Sequence, residues 1–331
     1  MFARYLDYWA GRVGLTVRIL AGILVWLVVL ILQVPEPTSQ QWGEMLLLLA
    51  ALLLLPMSFE WLVPLPGRLH YRLWQAMHLF QFPAAVALVA AFYFPPGVSA
   101  FLWAMPWCLE LIILASFGVW ILFAHRWRGR WNWCRAVGAF LTVVGGVWLL
   151  CDRIGYRPLD FDAEIVLLTA IHFHYAAYLL PLGAGLLVRV LPTLWTKLAA
   201  TGALVGVPLV ASGITVTHLF RMTWLELLAT TLLAMDGGVI GIGHTVVAWR
   251  YRAERVAAGM LFVAGMALIV TMALAALYGW RHYLVAAALD IPQMRKWHGS
   301  MAVLGFALLA LPGWRKLRVS TGHADAVANT Y

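Results

Sequence analysis

Ten times along its 331 residues the chain runs for about 20 residues with almost no charge. Each run is long enough to cross roughly 30 Å of hydrocarbon as an α-helix. They occupy 14 to 34, 43 to 60, 74 to 94, 98 to 124, 136 to 153, 164 to 189, 197 to 217, 224 to 249, 256 to 278 and 294 to 313. Hydrocarbon offers no partner to a backbone amide, so only helices and closed barrels span it. A barrel would need alternating segments of about ten residues. Here, stretches such as MLLLLAALLLLP at 45 to 56 are apolar on every side. Charged residues make up 11% of the chain, against roughly 25% in a soluble domain. The fold class is therefore all-α, a polytopic transmembrane helical bundle of about ten spans.

The loops are short and basic. Placing alternate loops on opposite sides puts 17 of the 23 Lys and Arg residues, among them Arg4, Arg12 and Arg18, on the side of the N-terminus and 6 on the other. The positive-inside rule then predicts both termini in the cytoplasm. The net charge of +9 is spread over these loops instead of gathered on one domain, which argues against nucleic acid as a partner. The strongest cluster, HRWRGRWNWCR at 125 to 135, reads as a membrane anchor. Its arginines can meet anionic lipid while Trp127, Trp131 and Trp133 lie at the interface. The first run ends in QVPEPTSQQW with no small-residue cleavage site, as a retained first helix would. Cys108, Cys134 and Cys151 have neither disulfide nor zinc spacing. The expected organisation is one integral membrane domain over 1–316, followed by a short disordered cytoplasmic tail over 317–331, in a multi-pass protein of the bacterial cytoplasmic membrane. Nothing in the sequence sets an oligomeric state.

An ionisable group at mid-membrane costs on the order of 3 kcal/mol and normally faces a cavity or a partner. Helix rise places Glu110, His172, His174 and Asp236 roughly 12 to 18 Å from one end of their spans. His298 lies one or two turns inside its span, and His78 and His244 lie nearer the opposite face. In IHFHYAAY at 171 to 178, His172 and His174 point about 200° apart on a regular helix and cannot chelate one ion. His174 shares a face with Tyr178 and Pro181, and His172 with Tyr175 and Thr169, so each imidazole has a tyrosine as a possible partner. Unwinding at Pro181 would let both histidines turn inward. Asp236 and His244 lie on one broad face, about 12 Å apart along the axis. Their GGVIGIG segment has no preceding strand and is not a nucleotide loop. A single membrane His or Tyr more often bonds a neighbouring helix for about 1 kcal/mol, and that plain reading competes with catalysis at every one of these positions.

Other features have simpler readings. The small pairs Gly202/Gly206 and Gly237/Gly241 allow close helix approach, and Pro83, Pro106, Pro181 and Pro208 each free a carbonyl one turn earlier. Asp160, Asp162 and Glu164 lack the glycine and terminal Glu of a calcium loop and suit a helix N-terminus.

Two stretches carry a resemblance. DRIGYRPLDFDAEIVLLTAIHFHYAAYLLPL at 152 to 182 and IPQMRKWHGSMAVLGFALLALPGW at 291 to 314 resemble the YndJ-like family of bacterial multipass membrane proteins. That family carries HFHYAGF in the first stretch, and THG followed by NALGF in the second. Here Ala177 and Tyr178 replace the Gly and Phe, Trp297 replaces the Thr, and Met301 and Ala302 replace the Asn and Ala. The resemblance covers about half the chain and draws attention to His172, His174, Tyr175, His298 and Gly299. It implies no particular reaction.

These residues suggest an intramembrane acid/base enzyme of isomerase or cyclase type, acting on a lipophilic small molecule without a cofactor. His172 or His174 would be the base, Asp236 or Glu110 the acid, and Tyr178 or His298 an orienting donor. The alternatives are a haem- or metal-binding redox protein using the same histidines and a proton-coupled transporter using the buried acids. The expected partners are the lipid bilayer and a lipophilic substrate.

Overall fold

The computed structural model describes residues 12–33, 37–62, 67–284 and 289–320, which form helices and short turns with no strand among them. Nine helices among the described residues are long and apolar enough to cross a membrane. They are α1 (Arg12–Gln33), α2 (Ser39–Trp61), α3 (Arg68–Tyr93), α4 (Val98–Ala124), α5 (Arg130–Ile154), α6 (Ala163–Val190), α7 (Leu194–Phe220), α8 (Thr223–Arg250) and α9 (Arg255–Gly279). These follow the first nine apolar runs to within a few residues. The tenth run lies in α10, residues 291–320, which is helical but changes type along its length. Its π-helical parts are Arg295–Gly299 and Met301–Ala307, and its last part is the α-helix Leu308–Ser320. Residues 321–331, most of the expected tail, lie outside the described residues, as does Arg4.

Helix starts follow local chemistry. Thr38 caps α2 in a reciprocal pair with Gln41, and Asp290 caps α10 in the same way with Gln293. Each pair satisfies two backbone donors that a helix start leaves open.

The contacts gather into two compact units, Met1–Leu179 and Leu180–Tyr331. In the first, α3, α4 and α5 follow one another as packed neighbours, and α5 packs on the first part of α6. The all-apolar helix α2 is the core element of this unit, with 94% of its most apolar stretch buried. Two buried arginines clasp opposite ends of the layer. Arg153 ends α5 and pairs with Asp152 at 2.6 Å and Glu44 of α2 at 3.5 Å. Its guanidinium covers Phe92 of α3, and its carbonyl accepts from Gly97 N beside α4. At the other end Arg135 donates to Trp61 O and Asn132 Oδ1 and lies 3.1 Å from His125 Nε2. Successive helices therefore alternate in direction. In the second unit α8 packs between α7 and α9, α9 packs on α10, and the last part of α6 packs on α7 and α8.

Prolines act differently from place to place. Pro83, Pro106 and Pro208 sit inside continuous α-helix. Pro56 and Pro181 instead each follow, by two residues, a five-residue π segment, Ala50–Leu54 and Tyr175–Leu179. A proline cannot donate to the carbonyl four residues earlier, here Leu52 and Ala177. Both carbonyls face a glycine of a neighbouring helix. A Cβ on Gly22 would collide with Leu52 O, and one on Gly138 would stand 3.3 Å from Ala177 O. The wider helix is accommodated where its neighbour has no side chain.

Two outcomes follow. Gly22→Ala should destabilise the protein by about 1–3 kcal/mol through overpacking, and Gly138→Ala by less. Gly238→Ala, with nothing within 4 Å, should be neutral or stabilising by up to about 1 kcal/mol. Thermal midpoints in detergent give the ranking. Secondly, burial, and then the charge of Arg135, hold His125 below the ordinary histidine pKa. A lowered folded-state value means that the clasp stabilises at neutral and higher pH and weakens as pH falls through the histidine range. The fall in thermal midpoint from about pH 8 to about pH 5 should shrink in His125→Gln, and an unchanged fall refutes it.

Candidate functional site

Of the six residues given catalytic roles above, four lie in the first unit (Glu110, His172, His174, Tyr178) and two in the second (Asp236, His298). His174 is buried and fully engaged. Its Nδ1 donates to Ala170 O at 2.8 Å, and its Nε2 accepts from the Trp107 indole at 3.1 Å. The indole lies nearly parallel to the ring, with centroids 6.1 Å apart. Both nitrogens are used, so the histidine is neutral and held in one tautomer. His172 points the other way and is exposed, with Nδ1 donating to Leu168 O at 2.7 Å. The two rings therefore diverge, as two residues apart on a helix requires.

Each imidazole finds a carbonyl four residues back on its own helix, and the second nitrogen of His174 goes to an indole and not to a tyrosine. The tyrosines use α2 instead. Tyr175 Oη donates to Leu46 O at 2.7 Å, and Tyr178 Oη lies 2.7 Å from Ser58 Oγ. Ser58 already donates its one proton to Leu55 O, so Tyr178 is the donor in that pair. Both tyrosines lie in the π segment before Pro181.

Glu110 is different. It sits about 18 Å and 21 Å from the two ends of α4 and is completely buried, and neither carboxyl oxygen has a hydrogen-bond partner among the described residues. Arg153 pairs with Glu44 and Asp152 and not with Glu110. Its electrostatic neighbours are Arg18 of α1 and Tyr178 of α6. Arg18, counted from the sequence among the charges on the N-terminal side, is in fact 1% exposed inside the unit. Its Nη1 donates to His78 O at 2.5 Å and lies 3.4 Å from Gln81 Oε1. Its Nη2 lies 2.6 Å from His78 Nδ1. A guanidinium has only protons to offer, so His78 Nδ1 accepts and the ring proton is on Nε2. That Nε2 is buried with no partner among the described residues, as is Arg18 Nε. Gln81 is fixed by donating to Ala51 O at 2.8 Å. An acid with two open acceptors is thus linked electrostatically to Arg18, which is bonded in turn to His78, and both of these hold an open donor. Arg18 and Gln81 are the site residues that the sequence reading passed over, and His78 was placed within its span without a catalytic role. The available signal was that Arg18 stands four residues inside an apolar run.

In the second unit Asp236 lies about midway along α8, half-buried, with its carboxylate seated where Gly202 of α7 has no Cβ. No hydrogen bond or ion pair to a described residue is present. His244 repeats the arrangement of His174: Nδ1 donates to Ile240 O at 2.8 Å, and Nε2 accepts from the Trp314 indole at 3.0 Å. His298 is half-buried, with Nδ1 donating to Thr271 O at 2.9 Å, while Thr271 Oγ1 donates to His298 O at 2.8 Å. Gly206 meets Leu233, and Gly241 meets the backbone of Gly265, so the second small pair makes the closer backbone approach. Among the described residues no three His, Cys, Asp or Glu side chains gather as a metal site.

The family model described as YndJ-like protein matches residues 45–306. That range includes Glu110, His78 and both histidines bonded to tryptophan, and it leaves out Arg18. A curated relative, the uncharacterized membrane protein YndJ of Bacillus subtilis (strain 168), is 27% identical over 193 residues, which is 57% of this chain and 34% of the relative. The chain thus matches about a third of that relative's length. No solved structure matches. With nine membrane-length helices and a family model matching most of its length, the chain is a multi-pass protein of the bacterial cell membrane and belongs to the YndJ-like family.

Proposed function

We propose that the protein is an intramembrane acid/base enzyme of isomerase or cyclase type that acts on a lipophilic small molecule, with its working groups in the first unit. The observation that carries this reading is Glu110, a fully buried acid with both oxygens unpartnered. A group in that state costs several kcal/mol unless the fold retains it for another reason. Proton transfer to and from a polar group on the substrate is such a reason. Glu110 would move the proton. The open donors of His78 Nε2 and Arg18 Nε would hold the oxygen or nitrogen on which charge develops. Tyr178, anchored on Ser58, would orient the substrate from α6.

His174 takes a structural part in this reading, because Trp107 and Ala170 occupy both its nitrogens. His172, which faces outward, is likewise left out. The lipid bilayer is the route by which a hydrocarbon-rich substrate would arrive. A second reading, proton-coupled transport, rests on Asp236, which lies at mid-span, half-exposed and without a partner among the described residues.

Cells expressing the wild-type chain should convert an endogenous or supplied lipophilic compound to a product of equal mass and different chromatographic retention. Glu110→Gln, which keeps the shape and removes the titrating group, should slow this by about 10²–10⁴-fold with an unchanged thermal midpoint. Equal turnover by Glu110→Gln would refute the role. Trp107→Phe should instead lower stability by about 1–3 kcal/mol, by leaving His174 Nε2 unsatisfied, with turnover per folded molecule retained. Asp236→Asn should leave the isomerisation intact. Loss of proton-driven uptake into proteoliposomes in that variant alone would favour the transport reading.

A further inference from the structure

The turn between α4 and α5 does more than place positive charge near a membrane. Arg126, Arg128 and Arg130 are all exposed, and none has a side-chain hydrogen bond or ion pair to a described residue. Segment 111–151 contains no acidic residue. Glu60, beside Trp61 in α2, lies at this end, where the turn and Arg135 supply four arginines.

The turn that carries these cations is rigid and strained. Arg126 and Trp127 both adopt positive φ, 49° and 61°, a left-handed conformation that is unfavourable for a non-glycine residue. The backbone is held there from several directions. Trp127 N donates to Leu122 O at 2.9 Å and Arg128 N to His125 O at 3.0 Å. Asn132 Nδ2 donates to Arg128 O at 2.8 Å, and the Trp133 indole to Trp127 O at 2.9 Å. Buried Arg135 binds both Asn132 and His125 from beneath. Strain kept in place by this many bonds is a feature of recognition sites more than of passive loops.

The phosphate within reach is that of a lipid. Only 125–129 separate the two spans, too few residues to leave the membrane surface. Trp127 is 47% exposed and packs against Phe123 and Trp133 with ring centroids 5.4 Å from each, and tryptophan favours the headgroup level. Three exposed guanidiniums beside an indole at that level suit an anionic headgroup, which they can bind with charge-assisted, bidentate bonds. We propose that the 125–131 turn is a specific binding site for the headgroup phosphate of an anionic phospholipid, distinct from the diffuse attraction that any basic loop exerts.

The test is native mass spectrometry of the full-length, detergent-purified chain titrated with phosphatidylglycerol or phosphatidylcholine. The wild type should bind phosphatidylglycerol preferentially. The triple variant Arg126→Gln, Arg128→Gln, Arg130→Gln should bind it roughly 100-fold more weakly, each cation near an anionic surface contributing about a factor of five. Arg250→Gln with Arg252→Gln, in another exposed loop beside Trp249, should leave the affinity unchanged. If the triple variant fails to fold, Arg128→Gln alone should show about a fivefold loss. Equal loss in the 250/252 control would reduce the effect to general surface charge and overturn the proposal, as would full retention in the triple variant. Inorganic phosphate or a short oligonucleotide that displaces the lipid at equal phosphate concentration would overturn the lipid as its ligand.

Discussion

The governing constraint is that hydrocarbon cannot solvate a charge or an amide, so each polar group in a span must find its partner within the protein. Arg153 meets this demand with two carboxylates and the ring of Phe92, and in doing so ties α2, α3, α4 and α5 together at one end. Arg135 does the same at the opposite end through Trp61, His125 and Asn132. Around these clasps the apolar α2 is enclosed as a core helix. Without them, four apolar helices of similar length would have little to set their register, since packing among alkyl side chains in lipid is nearly indifferent to sliding.

The same demand explains where the helices depart from α geometry. Pro56 and Pro181 remove a backbone donor, and the chain responds with a π turn just before each. The carbonyls affected, Leu52 and Ala177, come to lie against Gly22 and Gly138, where a close Cα–H contact can replace part of what was lost. The π segment of α6 is also where Tyr175 and Tyr178 reach across to α2. Backbone adjustment and side-chain anchoring are therefore one local solution, and they fix Tyr178 against Ser58 of α2.

Against this background the polar groups fall into two kinds. His174 and His244 each spend both nitrogens, one on a carbonyl of their own helix and one on an indole, and they act as struts between helices. Glu110 and Asp236 spend nothing on a neighbour. The contrast within one molecule turns Glu110 from one buried acid among several into the centre of the proposed chemistry.

The apolar runs by themselves determined the fold class, the positions of nine spans to within a few residues, and the existence of a basic, tryptophan-rich turn between two of them, because hydropathy over 20 residues is a property of the local chain. The opposite directions of His172 and His174 were equally legible, being a matter of helical phase. Partners were not. The sequence offered tyrosines to the imidazoles, and the structure offered their own carbonyls and the indoles of Trp107 and Trp314, which are 67 and 70 residues distant. Arg18 looked like a loop charge and became a buried neighbour of His78 and Glu110. Only tertiary packing decides such pairings, since they depend on which faces of separate helices meet, and hydrophobic periodicity is nearly silent about that when a helix is apolar on every side.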